Sequence, residues 1–119
     1  MRTIALGVGL IAALASASAV AMDAKGNYTS LGPGSFSCGT WNGNKKYDLG
    51  RELDYGWAEG VISAYNEFVS RGKNVASDTD AEGMMGWLDN YCITHPEEPA
   101  STAMDKFIVE MKAKPQPMN

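Results

Sequence analysis

The chain has 119 residues, a length that fits one domain, and 45% of them are hydrophobic. Its 14 acidic residues against ten basic ones give a net charge of −4, which argues against nucleic acid and anionic membranes as partners. The same charge is compatible with a basic protein partner.

Residues 1–21 have the order of a secretory signal peptide. Arg2 supplies a positive charge, residues 4–14 form an apolar run, and residues 15–21 are all small or apolar. The run is shorter than the roughly 20 apolar residues that span a bilayer. We predict cleavage after Ala21, with Ala19 as the alternative, and no membrane anchor, because no cysteine lies near the cut. Loss of Arg2 would leave nine basic and 14 acidic residues, a net charge of −5.

The remainder divides into three parts. Residues 22–34 are polar, contain glycine and show no periodicity, so we expect a flexible segment. Residues 35–114 are expected to form a helical domain, and residues 115–119 a disordered tail. The domain should begin with one or two helical turns around Cys38, with Ser35 as the N-cap, before a turn at residues 42–44.

An apolar stripe at intervals of three or four residues predicts a long helix that ends near Gly72. We expect this stripe to face the core. Gly56 and Gly60 share a second face, where we expect them to let another helix or the Cys38 segment approach closely. The stripe consists of Leu49, Leu53, Trp57, Val61, Ala64, Tyr65 and Phe68.

Two further helices are predicted. The first begins after Asp78 or Asp80 as its cap and ends before Pro96, and the second begins near Pro99 and ends before Pro115. The methionines on their stripes are interpreted as core residues. The stripes are Ala81, Met84, Met85, Leu88, Tyr91 and Cys92 in the first, and Ala100, Ala103, Met104, Phe107, Ile108 and Met111 in the second. The fold class predicted is therefore all-α, with about four helices.

The chain has two cysteines, Cys38 and Cys92. An even number of cysteines in an exported chain predicts one disulfide. Because Cys92 lies on the apolar face of its predicted helix, we expect it to point into the core.

No group of residues predicts catalysis, a metal site or another cofactor. His95 is the only histidine, and we interpret it as a surface residue in a loop. Residues 78–89 partly match a calcium-binding loop, but an acidic helix start explains them more simply. We interpret the other candidate carboxylates as solvated helix faces; they are Glu59, Glu67, Asp89 and Glu110.

Residues 37–41, 57–66 and 87–96 together resemble the Rap1a/Tai-like family of small exported bacterial proteins. The shared patterns are S-C-G-T-W, W-x-x-G-x-x-S-x-x-N, and W-x-D-N-Y-C followed by His95 and Pro96. The paired cysteines are Cys38 and Cys92, and the motif positions are Trp41, Trp57, Gly60, Asn66, Trp87, Asp89, Asn90 and Tyr91.

The resemblance implies a periplasmic, non-catalytic protein that binds a protein partner. Characterised relatives are immunity proteins that neutralise type VI secretion effectors, so the partner expected here is a secreted effector. The family is similar in organisation to HdeA-like acid-stress chaperones, which is the alternative function, and a homodimer is compatible with either. We expect Asp89 and Asn90 to satisfy local backbone or helix-end groups.

Overall fold

The computed structural model describes residues 28–115 and contains four α-helices. In chain order these are α1 (Cys38–Asn44), α2 (Asp48–Ala64), α3 (Ala81–Thr94) and α4 (Ala100–Ala113). A 3₁₀ turn (Gly32–Ser35) precedes α1, and a π-helical turn (Tyr65–Val69) extends α2. The described residues form no strand, only isolated bridge positions such as the pair Ser37 and Pro99, which confirms the all-α prediction. The predicted signal peptide and the last four residues of the tail lie outside the described residues.

Side-chain caps fix the starts of α1 and α3. Ser37 Oγ accepts a hydrogen bond from Thr40 N at 3.2 Å, and Asp80 Oδ1 accepts one from Gly83 N at 2.8 Å. The prediction of Ser35 as the first cap is wrong, because Ser35 ends the 3₁₀ turn, where its hydroxyl donates to Gly32 O. Of the two aspartates considered for α3, Asp80 is the cap.

The disulfide joins α1 to α3 at the centre of the core. Cys38 and Cys92 have Cα atoms 4.6 Å apart, and both side chains are buried, which confirms the predicted bond. The predicted apolar faces of α3 and α4 are confirmed as well, except that Ala81 and Tyr91 are half-buried. The core is formed mainly by Trp41, Ala58, Met84, Met85, Leu88, Ala103, Met104, Phe107 and Met111.

The predicted core face of α2 is confirmed only in part, since Trp57, Val61 and Tyr65 pack against the core. Leu49, Leu53 and Phe68 were expected in the core but are 73%, 57% and 76% exposed. The residues that α2 buries are Asp54 and Ala58, because this helix contacts α1 through a polar cluster as well as through apolar side chains.

The close approach predicted for Gly56 and Gly60 is not found either. A Cβ added at either position would meet no atom within 4 Å, so neither glycine is needed for packing in the described part of the chain. By contrast, Gly72 does end the helical segment as predicted, with a φ of 81° that favours glycine.

Residues 28–34 pack against the helices, so the ordered domain extends further towards the N-terminus than residue 35. Tyr28 Oη donates to Asp105 Oδ2 on α4 at 2.8 Å. Gly34 is buried against Trp57, and a side chain there would collide with the indole ring. Residues 28–34 thereby contact both α2 and α4.

Candidate functional site

A nearly buried carboxylate, Asp89, lies where α1, α2 and α3 meet. Arg51 binds it through two hydrogen bonds, Nη1 to Oδ1 at 3.0 Å and Nη2 to Oδ2 at 2.7 Å. Trp41 Nε1 also donates to Oδ1 at 2.8 Å, and Lys45 Nζ lies 3.4 Å from Oδ2. Oδ1 therefore accepts hydrogen bonds from α1 and from α2. Oδ2 accepts one from α2 and pairs with Lys45, which directly follows α1.

These contacts make Asp89 a structural residue. The planar guanidinium of Arg51 matches the carboxylate in a bidentate pair, which fixes the distance and the rotation between α2 and α3. The expectation that Asp89 satisfies local groups or sits on a solvated helix face is wrong, because its partners lie 38 and 48 residues away in the sequence.

Asp54 is a second buried carboxylate in the same region. It is 0% exposed, and Asn44 Nδ2 donates to its Oδ1 at 3.1 Å, whereas its Oδ2 has no hydrogen-bond partner. Burial raises the pKa of Asp54, and this effect exceeds the lowering by the Asn44 hydrogen bond and by the charge of Arg51. The folded state therefore disfavours the ionised form of this group.

We expect the substitution Asp54→Asn to change how stability depends on pH. Since the pKa of Asp54 is higher in the folded than in the unfolded state, its contribution is greatest at acidic pH and is lost as pH rises through the folded pKa. The stability of the variant relative to wild type should therefore rise as the pH increases above about 4, the ordinary pKa of an aspartate. The amide oxygen of the variant still accepts from Asn44. Urea denaturation across this range measures the effect.

The matched control is Glu52→Gln, which removes an exposed carboxylate from the same helix. Its stability relative to wild type, measured over the same pH range, gives the baseline for removing one carboxylate from α2. If the free energies of unfolding of both variants follow parallel curves against pH, the pKa of Asp54 does not differ between the folded and the unfolded state.

An aromatic cluster links α3 to α4 and to the loop between them. Trp87 stacks on Tyr91 with ring centroids 5.6 Å apart and meets Phe107 edge-on at 5.5 Å. Tyr91 stacks in turn on His95 at 4.0 Å. His95 is thus half-buried at the end of α3, where its Nδ1 lies 2.9 Å from Tyr91 O, rather than free in a surface loop.

Polar contacts complete this cluster. Trp87 Nε1 donates to Glu110 Oε2 at 3.1 Å, so the carboxylate of Glu110 is not simply solvated. Tyr91 Oη donates to Glu98 Oε2 at 2.7 Å, and this hydrogen bond is the largest cause of a raised Tyr91 pKa. Trp87 and Tyr91 therefore position α4 against α3.

The remaining motif residues are dispersed. Asn66 Oδ1 accepts from Val75 N at 2.8 Å and holds the loop before α3. Trp57 meets Trp41 edge-on, with ring centroids 5.8 Å apart. Asn90 and Gly60 are exposed. The structure brings Trp41, Trp57 and Asp89 into one region and Trp87 and Tyr91 into another, but it does not bring all motif residues together.

The acidic residues considered for calcium do not converge. Asp80 caps α3, Asp78 pairs with Lys114 at 3.1 Å, and Asp89 is bound by Arg51. Within residues 28–115, no group of three or more His, Cys, Asp or Glu side chains has a spacing that could hold a metal ion. In the same range, no helix is both long and apolar enough to cross a membrane.

An open apolar groove lies between α2 with its π-helical turn and α4. Its volume is about 610 Å³. Trp57 and Met104 are among its lining residues, and the exposed Phe68, Val69 and Val109 line it as well. Tyr28, which is hydrogen bonded to Asp105, also lines the groove. Such a surface can accept apolar side chains of another protein.

Sequence reasoning missed this groove because it assigned Phe68 to the core. One signal could have indicated it: Val69 and Val109 are apolar residues that lie outside the predicted stripes of their helices. With these two valines, the apolar face of each helical segment is wider than its core stripe, so part of each face remains outside the core.

No protein-family model, curated protein or solved structure matches the chain.

Proposed function

We propose that the protein is a non-catalytic, periplasmic protein-binding domain of the immunity type, which neutralises a secreted effector. The observation that carries this proposal is the open groove between α2 and α4. The resemblance of residues 37–41, 57–66 and 87–96 to the Rap1a/Tai-like family supports the immunity role, and the order of residues 1–21 supports export.

The groove favours a protein partner because its side chains are apolar and yet remain in contact with solvent. Phe68 is 76% exposed and lies beside Val69 in the π-helical turn. Aromatic side chains contribute much of the binding energy in protein interfaces when a partner buries them. A partner that covers Phe68 would therefore gain affinity without any rearrangement of the core.

The proposed role requires a secreted effector whose gene adjoins that of this protein, and the experiment uses that effector. We expect the protein to bind that effector at neutral pH, and Phe68→Asp to weaken the affinity at least about tenfold, since an interface anchor is worth on the order of 1.4 kcal/mol or more. Isothermal titration calorimetry measures the affinity. Because Phe68 is largely exposed, the variant should keep its melting temperature.

The matched control is Ile93→Asp, which places the same charge on an exposed apolar position of α3, outside the groove. Its affinity should equal that of wild type. Equal affinities for wild type and Phe68→Asp would remove the groove from the interface, and absence of binding to the neighbouring effector would reject the immunity role.

One observation favours the acid-stress chaperone as a second candidate. Near pH 2 carboxylates in general are largely neutral, so the 14 acidic residues would no longer balance the basic ones. Repulsion among Lys, Arg and His95 could then loosen a small domain. The disulfide still ties α1 to α3, which limits the opening. Suppression of aggregation of unrelated proteins at pH 2, without effector binding at neutral pH, would favour this candidate.

A further inference from the structure

The outer face of α2 is apolar and has no partner within the described residues. Leu49, Leu53, Gly56 and Gly60 follow one another at intervals of four, three and four residues, so they lie on one face of the helix, and the prediction of a separate face for the two glycines is wrong. All four are exposed, and no atom lies within 4 Å of where a Cβ would stand on either glycine. A neighbouring backbone could therefore approach this face closely.

Carboxylates lie beside this face. Glu52 and Glu59 of α2 and Glu82 of α3 line a hollow of about 430 Å³ together with Tyr55 and Gly56. The pKa of Tyr55 is raised by burial and next by the charge of Glu82, which agrees with the position of this carboxylate near the phenol. The hollow and the apolar face share Gly56, so they form one continuous surface.

The charges of this surface are not neutralised within residues 28–115. The ion pairs in this range use Asp89 and Asp78, and none includes Glu52, Glu59 or Glu82. Arg51 is the only basic residue of α2, and Asp89 binds it. The surface therefore offers uncompensated negative charge beside exposed leucines.

We propose that the outer face of α2 binds an amphipathic helix of the partner protein, with apolar side chains on one row and Lys or Arg on the adjacent row. The apolar row would pack on Leu49 and Leu53, and the basic row would lie over Glu52, Glu59 and Glu82. Gly56 and Gly60 would admit the partner's backbone. This inference rests on the proposed protein-binding role and specifies the chemistry of the partner.

Two other occupants fit the charges less well. A second copy of the chain that docked through the same face would bring another α2 whose one basic residue is already paired, so it would add negative charge without a basic row. An anionic membrane would be repelled by the same carboxylates. Complementary charge thus favours a basic protein segment.

The experiment uses two synthetic helical peptides with the same leucine face, one flanked by lysine and the other by glutamate. Binding to the full mature protein is followed by nuclear magnetic resonance titration at low and at high salt. We expect the lysine peptide to bind at least about tenfold more tightly at low salt, with this advantage reduced at high salt. The largest shifts should fall on amides of residues 49–60.

Variants separate a specific contact from attraction to an acidic protein. Glu59→Lys should abolish the preference for the lysine peptide, whereas Glu97→Lys, which changes the net charge equally at an exposed site outside the hollow, should retain it. Leu53→Asp should weaken the lysine peptide about tenfold and leave the melting temperature unchanged. Equal effects of Glu59→Lys and Glu97→Lys, or shifts outside residues 49–60, would overturn the proposal.

The effector itself distinguishes this proposal from the proposed function. Effector binding that is lost in Phe68→Asp but kept in both Leu53→Asp and Glu59→Lys would overturn the basic amphipathic partner and leave the protein-binding role in place. Selective binding of the lysine peptide without effector binding would support the surface chemistry and reject the immunity role.

Discussion

The substitution Asp89→Asn is expected to lower the free energy of unfolding by about 3 kcal/mol, because it breaks a largely buried ion pair and leaves its partner in place. Arg51 would lose the negatively charged group that accepts its two hydrogen bonds, and Lys45 would lose its counter-ion. The amide of the variant accepts only at its oxygen, which in the place of Oδ1 can still bind Trp41 Nε1 and Arg51 Nη1, but Arg51 Nη2 would then face an N–H donor. Urea denaturation at neutral pH measures this loss.

The matched control is Asp78→Asn, which removes an aspartate that also pairs with a basic residue, but at the surface. The pair of Asp78 with Lys114 is about half exposed, so its loss should cost less than about 1 kcal/mol. A loss in Asp89→Asn as small as that of the control would show that the junction of α1, α2 and α3 does not depend on this carboxylate.

The double substitution Cys38→Ser and Cys92→Ser is expected to lower stability by about 4 kcal/mol. The bond closes a loop with a sequence separation of 54 residues, and its removal gives the unfolded chain more conformations. The effect should be large relative to the whole, since small domains are stable by only about 5–15 kcal/mol. Thermal denaturation followed by circular dichroism, with and without reductant, measures it.

Reductant provides the internal comparison for this result. Wild type should lose stability when it is reduced, whereas the double variant should melt at the same temperature in both conditions. Both cysteines are buried and bonded, so alkylation of the oxidised protein should label neither. Labelling of both thiols without reductant, or equal melting of oxidised and reduced wild type, would contradict a stabilising disulfide.

The sequence predicts α3 and α4 well because the residues that define each helix are close together in the sequence. Each helix has one apolar stripe with a proline beyond its end, and the structure buries most of both stripes. The cap at Asp80 follows from the same local pattern. The disulfide was also predictable, because a chain with two cysteines allows one internal bond.

The face that α2 buries could not be predicted in the same way. Periodicity indicates which residues share a face, but it does not show whether that face contacts the core or the solvent. Here the buried side includes Asp54, and the contact with α3 uses Arg51 and Asp89, which are 38 residues apart. Such a pairing depends on how the helices are arranged in space, and the periodicity within one helix does not show this arrangement.

The exposed apolar surface of α2 could not be predicted from periodicity for the same reason. Leu49, Leu53 and Phe68 look like core residues in a helical stripe, and their exposure becomes visible only when α2 is placed against α1 and α3. These three side chains border the acidic hollow or line the groove. The fold covers Trp57, Val61 and Tyr65 of the same stripe but leaves these three side chains exposed, and exposed apolar patches often mark interaction sites.

Hydroxyl-radical footprinting of the protein, alone and saturated with the proposed effector at neutral pH, tests the proposed protein-binding surface most directly. We expect oxidation of Leu49, Leu53 and Phe68 to fall when the effector binds, because the partner covers these exposed side chains, and oxidation of Ile93 on α3 to stay unchanged. Unchanged oxidation of all three α2-side residues, with protection at Ile93, would contradict a binding surface formed by α2.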